Sequence, residues 1–143
     1  MPNPSAELAG HLLSTIPRAM WRIRSEVRSA AKTDLTLPQF RILAHLSMGP
    51  STNCILSEHL GASAANTCRT LVTLVGRGLV MQSRSKRDRR VVTLKLTPRG
   101  RAQFNRIRDR TKDQLAIELA HIPNDERETI SAALRILERV FAS

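Results

Sequence analysis

The sequence predicts a mainly α protein with one small β-hairpin, and three observations carry that expectation. Residues suited to cap helices stand at Thr36, Thr52, Ser63 and Thr97, each ahead of an apolar-periodic run. Residues 84–100, RSKRDRRVVTLKLTPRG, place a short β-branched stretch directly after a cationic tip. The formal net charge is +11 over 143 residues, an excess that strains a compact fold unless an anionic partner belongs to the working state.

Residues 6–31 carry Leu8, Leu12, Ile16, Met20, Ile23 and Val27 at steps of three and four, the pattern of an amphipathic helix. Pro17 inside it has no N–H for the Leu13 carbonyl, so a kink or a helix restart is expected there. A terminal apolar stripe of this length needs something to cover it, and a partner subunit is a reasonable candidate. Thr36-Leu37-Pro38-Gln39 reads as a capping box opening a helix whose core face is Phe40, Leu43 and Leu46, with Gly49-Pro50 as its stop. Thr52 caps a short helix with Leu56 and Leu60 inward and Ser57 in a small slot. After a tight turn at Gly61-Ala62, Ser63 caps the next helix, with Thr67, Leu71 and Leu74 inward and Ala65, Asn66, Arg69 and Thr73 on the opposite face. Leu79–Arg84 and Val91–Leu96 are the two strands of the hairpin. Thr97-Pro98 opens a long basic helix over 98–120, with Phe104, Ile107, Leu115 and Leu119 apolar. Ile122-Pro123 breaks it, and Asn124 is the expected cap of a last helix bearing Ile130, Leu134, Leu137 and Phe141.

The same composition excludes several classes. Hydrophobic content of 41% and charged content of 24% suit an ordinary globular domain, but aromatic residues are only 3%, with no Tyr and one Trp. That argues against the stacking platforms of single-strand and RNA binders. There is no glycine-rich phosphate loop, no GxSxG and no acid pair around a histidine, so the chain does not read as an enzyme and has no catalytic residues to nominate. His11, His45, His59 and His121 are scattered, and no metal site is expected. No run of about 18 apolar residues exists to span a bilayer. The start, MPNPSAELAG, lacks a basic segment and an apolar one, so the expectation is a cytoplasmic protein with reduced Cys54 and Cys68. Cys68 reads as a semi-buried, space-filling thiol in preference to a redox switch, and Trp21 as a core or dimer contact in preference to the lining of a crevice.

Helix, short helix, tight turn, helix and basic hairpin is the order of a winged helix-turn-helix. Its second helix must expose small and polar groups to enter a major groove. The face here offers an amide, an arginine, hydroxyls and an alanine, with no acid. Double-stranded DNA is therefore the expected partner. The bland alternative for residues 84–90 is a solvated charged loop, and for the whole chain a basic architectural protein that coats nucleic acid without regard to sequence.

LTLPQFRILAHL, CILSEHLGAS, RGLV and above all DRRVVTLKLTPRG resemble the MarR family of bacterial transcriptional regulators, over nearly the whole chain. Asp88, Arg90, Leu96, Thr97 and Gly100 fall at the positions of that family's wing signature, whereas Pro17, Asn53 and Gly76 depart from its usual pattern. The resemblance implies a recognition helix in the major groove, with Ser63, Ala65, Asn66, Arg69, Thr70 and Thr73 as its contact residues. It implies a wing in the minor groove, built from Arg84, Lys86, Arg87, Asp88, Arg89 and Arg90, with Arg90 inserted and Asp88 positioning it. Residues 36–97 would form the DNA-binding lobe. Residues 1–35 with 98–143 would form a helical dimerisation region, where Leu8, Leu12, Ile130, Leu134, Leu137 and Phe141 meet a second subunit. The implied protein is a ligand-responsive repressor acting as a homodimer on a pseudo-palindromic operator. It needs no cofactor, and takes a small-molecule effector of unknown identity in the crevice between the two parts.

Overall fold

The computed structural model describes residues 1–32 and 34–142. The elements run α1 (Pro4–Ala31), α2 (Leu37–Leu46), α3 (Asn53–Leu60), α4 (Ala64–Gly76), β1 (Val80–Arg84), β2 (Val92–Leu96), α5 (Pro98–Leu119) and α6 (Asn124–Phe141). The chain is thus mainly helical with a two-stranded antiparallel hairpin, as the sequence predicts.

Local chemistry explains where the central helices begin. The Thr36 hydroxyl accepts the Gln39 N–H at 3.3 Å while the Gln39 side chain accepts the Thr36 N–H at 3.0 Å, a complete capping box. Thr52 accepts from the Ile55 N–H at 3.3 Å, Ser63 from the Asn66 N–H at 3.1 Å and Thr97 from the Gly100 N–H at 3.0 Å. Each cap satisfies a backbone donor that has no partner inside its helix. Gly61, at φ 63°, turns the chain between α3 and α4 in the left-handed region where glycine carries no steric penalty.

These starts aim apolar faces at one core. Ile42, Leu43, Leu46, Leu56, Leu74 and Leu79 are fully buried, joined by Val27, Ala30 and Ala31 from the end of α1 and by Phe104 and Ile107 from α5. The outer helices therefore lend their lobe-proximal turns to the same core. The hairpin pairs Val80 with Leu96 through to Arg84 with Val92. Ser51 adds a bridge on the other edge of β2, exchanging bonds with Leu94 at 3.0 and 2.8 Å, so the wing's base is anchored to the segment before α3.

The join between hairpin and α5 is tight. The Thr97 hydroxyl donates to the Gly78 carbonyl at 2.6 Å while it caps α5, and the Thr97 N–H donates to the Leu79 carbonyl at 3.1 Å. Gly100 lies directly against that carbonyl: a Cβ there would stand 1.9 Å from the Leu79 oxygen. Farther along α5, Glu118 pairs with Arg22 of α1, and Arg22 also meets Glu26 at 2.7 Å. The hydrogen bond from Arg22 holds the Glu118 carboxyl below the usual range, and the same bond raises Arg22. Both groups are solvent-exposed, so the bridge sets the approach of the helices more than it stabilises them.

Four expectations need correction. Pro17 does not restart the first helix: α1 runs unbroken for 28 residues. Leu13, whose carbonyl loses its donor, is 78% exposed, so water can take that bond. The helix also starts earlier than residue 6, because the Asn3 side chain accepts from the Ser5 N–H at 3.0 Å and Pro4 occupies the first turn. Asn124 is not the cap of α6 but its first residue; Pro123 holds the cap position without a side-chain bond, and Asp125 and Glu126 supply negative charge to the first turn instead. Cys68 is not semi-buried: both thiols are exposed.

Candidate nucleic-acid interface

The α4 helix presents a face built by its own hydrogen bonds. Thr67, Leu71 and Leu74 turn inward, which leaves Ala65, Asn66, Arg69 and Thr73 exposed. The Arg69 guanidinium donates to the Asn66 side-chain oxygen, so the two longest polar groups on this face are held as a unit. The Thr70 and Thr73 hydroxyls donate back to the carbonyls of Asn66 and Arg69 at 3.1 and 3.3 Å. With their protons committed, they offer outward only oxygen lone pairs and methyl groups. Thr70 is half-buried toward α2, and Ser63 is engaged as the cap, so these two are less free than the other four. No acid lies on α4.

The wing tip is a closed loop rather than a loose charge run. The Arg87 N–H donates to the Ser85 hydroxyl at 3.2 Å, and the Arg90 N–H donates to the Asp88 carboxylate at 2.9 Å. The Arg84 guanidinium donates to the Arg89 carbonyl at 3.2 Å, across the neck of the loop. Asp88 therefore positions the backbone of Arg90, and Arg84 holds the tip closed. Lys86, Arg87, Arg89 and Arg90 remain exposed cations. Sequence reasoning grouped Arg84 with them, but a guanidinium folded back onto a carbonyl has a structural task that spacing alone does not reveal.

The fold that carries these two surfaces is found in known proteins. Residues 35–92, from the turn before α2 into β2, match the model of the MarR family. Over that segment the chain is similar to the MarR family. The fold extends beyond the matched segment. RV1404 from Mycobacterium tuberculosis superposes with a TM-score of 0.79 at 23% identity, over 100% of this chain and 97% of that one. A MarR-family transcriptional regulator from Silicibacter pomeroyi gives 0.71 at 22% identity, over 99% and 97%. A MepR-like protein solved in complex with pseudoligands gives 0.56 at 27% identity, over 94% of each chain. No curated protein matches the sequence.

The outer helices leave much apolar surface open. Leu8, Ile130, Leu134 and Phe141 are exposed, Leu12 and Leu137 half-buried, and α6 has no buried residue at all. Trp21 is 68% exposed and so is not a core residue. Among the described residues no helix is long and apolar enough to cross a membrane.

Two features of the lobe are not visible in the sequence. A cavity of about 710 Å³ opens between α4 and the base of the wing, walled by Leu71, Val72, Val75, Val91 and Val92, and Arg90 lines it too. No linear motif marks it, because its lining comes from four elements, α3, α4, β1 and β2. His45 and His59, 14 residues apart in sequence and on different helices, bring their ring centroids to 4.6 Å. Burial, and then the neighbouring His59, push the His45 pKa down from its ordinary value. No third metal-ligating group joins them among the described residues.

Proposed function

We propose that the chain is a ligand-responsive repressor that binds a pseudo-palindromic operator as a homodimer, with α4 in the major groove and the wing tip in the minor groove. The observation that carries the reading is the pairing, on one lobe, of an acid-free polar helix face with a cationic tip whose one carboxylate orients Arg90. On α4, Arg69 and Asn66 suit base edges, Ala65 and the methyl groups of Thr70 and Thr73 suit thymine methyls, and Ser63 suits a phosphate. In the wing, Arg90 suits the enhanced negative potential of a narrow minor groove, and Lys86, Arg87 and Arg89 suit the flanking phosphates, with Arg84 and Asp88 shaping the tip. Residues 36–97 act as the DNA-binding lobe, and residues 1–35 with 98–143 as the dimerisation region. A small molecule in the crevice between them would shift the spacing of the two lobes, which needs only a modest preference for one spacing. The MepR-like relative with its pseudoligands supports this reading.

Selecting bound duplexes from a random pool tests it. An enriched inverted repeat is the expected result, and the absence of enrichment favours the sequence-indifferent coating protein. On the selected duplex, affinity should fall steeply as salt rises, because each phosphate neutralised by the wing or α4 releases a counterion. A flat salt response in fluorescence anisotropy counts against the interface.

Substitution separates groove contact from general charge. Arg90→Ala should cost about 1–3 kcal/mol of duplex affinity, the usual range for a specific groove contact. Arg106→Ala should cost less, because Arg106 pairs with Asp34 at 2.9 Å on α5, away from the wing tip. Equal losses from the two substitutions would remove the wing assignment.

A further inference from the structure

DNA contact leaves the histidine pair at the α2–α3 joint unused. His45 stands in the last turn of α2 and His59 in the last turn of α3, with ring centroids 4.6 Å apart. The His45 Nδ1 is buried and has no hydrogen-bond partner. We propose that His45 and His59 together bind one borderline divalent transition-metal ion, with zinc as its representative, which ties α2 to α3 and keeps water in its remaining positions. The proposal does not rest on the regulator reading, and it stands or falls without DNA.

Geometry supports it first. With zinc about 2.0–2.1 Å from each nitrogen in a tetrahedral arrangement, the two ring centres would lie roughly 5 Å apart. The observed 4.6 Å therefore needs only a slight opening. Both ligands sit on helices, so their positions are fixed by the packing of the lobe. The exposed His59 ring can turn at little cost, while the half-buried His45 is held. A ring nitrogen that has lost water without gaining a partner is one that a metal bond would satisfy.

Electrostatics supports it second. Unpaired carbonyls make the C-terminal end of a helix negative, and here two such ends meet at the pair. The net charge of +11 opposes any cation at long range, but salt screens that repulsion beyond about 8–10 Å. The helix ends therefore decide. Imidazole nitrogen suits zinc, nickel and copper, whereas magnesium and calcium require oxygen ligands. The two histidines are 14 residues apart in sequence, and the unfolded chain does not hold them together. Binding should therefore add to folding stability. Because α3 runs through Gly61 into α4, the ion would brace the two helices that carry α4.

Denaturant unfolding of the full-length protein with zinc chloride tests this, with magnesium chloride as control. Calorimetry should show one zinc per chain, with a dissociation constant tighter than about 0.1 mM. At ten times that constant the ratio of folded to unfolded chain should rise about tenfold, and the unfolding midpoint with it. Magnesium should leave the midpoint unchanged. His59→Gln, at an exposed position, should fold as the wild type does and lose the zinc response, and His45→Gln should lose it too. His11→Gln and His121→Gln should keep it. So should the chain carrying both Cys54→Ser and Cys68→Ser, which removes the thiols as rival ligands. A midpoint that zinc does not raise, a response that survives in His59→Gln, or one that vanishes with the thiols would each overturn the proposal.

Discussion

Gly100→Ala is expected to destabilise the fold by about 3 kcal/mol or more, the upper end of what overpacking usually costs. The new Cβ would stand 1.9 Å from the Leu79 carbonyl oxygen and 2.9 Å from its carbon. Nothing at that contact is a flexible side chain, so no rotamer change relieves it. The same carbonyl accepts the Thr97 N–H, and Thr97 in turn ties Gly78 to the start of α5. Relief therefore requires α5 to slide off the hairpin, which would uncover Phe104 and Ile107, both part of the shared core. Gly10→Ala is the matched control. Nothing lies within 4 Å of a Cβ there, and exchanging glycine for alanine inside a helix should add roughly 0.5–1 kcal/mol. Denaturant midpoints of the two variants should move in opposite directions. A Gly100→Ala midpoint equal to the wild type would mean that the hairpin and α5 are not locked together as described.

Gly100 also marks the boundary of what could be read from the sequence. Its place in the wing signature was legible, but the reason for a glycine was not, since the clash partner sits 21 residues earlier on another element. Features fixed by neighbours in sequence were legible. Thr36, Thr52, Ser63 and Thr97 each cap the helix that follows within three residues, and the β-branched run after the charged tip forms the second strand. The inner stripe of α4, Thr67, Leu71 and Leu74, followed from helical period alone. Features set by packing between elements were not legible. Cys68 sits one residue past Thr67 and so falls off the inner stripe, toward the wing; a helical wheel without the wing in place cannot show that side as a cavity wall. Arg84 looks like any other cation of the tip until the loop closes and offers it the Arg89 carbonyl. Asn124 was the expected cap of α6, and one residue of phase separates it from Pro123, which holds that position.

A chain ending at Pro123 is expected to lose association and most of its operator affinity together, while its lobe stays folded. The three parts of this expectation come from one asymmetry. α6 has no buried residue, so its removal takes nothing from the core of Ile42, Leu43, Leu56, Leu74 and Leu79. The truncated chain should therefore still unfold cooperatively. Yet α6 carries Ile130, Leu134, Ile136, Val140 and Phe141 as exposed apolar groups, and α1 adds Leu8, Leu13 and Ile16. Exposed apolar surface of this kind is a liability on a monomer and an asset at an interface, where a two-fold axis covers the same surface twice. Symmetry would then set two α4 helices about 34–36 Å apart, one turn of duplex, so that one operator meets both lobes at once. Losing the second lobe should lower affinity by about 10²–10⁴, the range that linking two binding modules usually supplies. Leu134→Lys in the full chain is the companion variant, because it keeps α6 and disturbs only the exposed stripe. Sedimentation should show both variants shifted toward monomer, and anisotropy should show both weakened on an inverted repeat but near the wild type on a single half-site at matched lobe concentration. A full-length protein that sediments as a monomer and still binds the inverted repeat tightly would overturn the dimer, and with it the assignment of α1 and α6 to the interface.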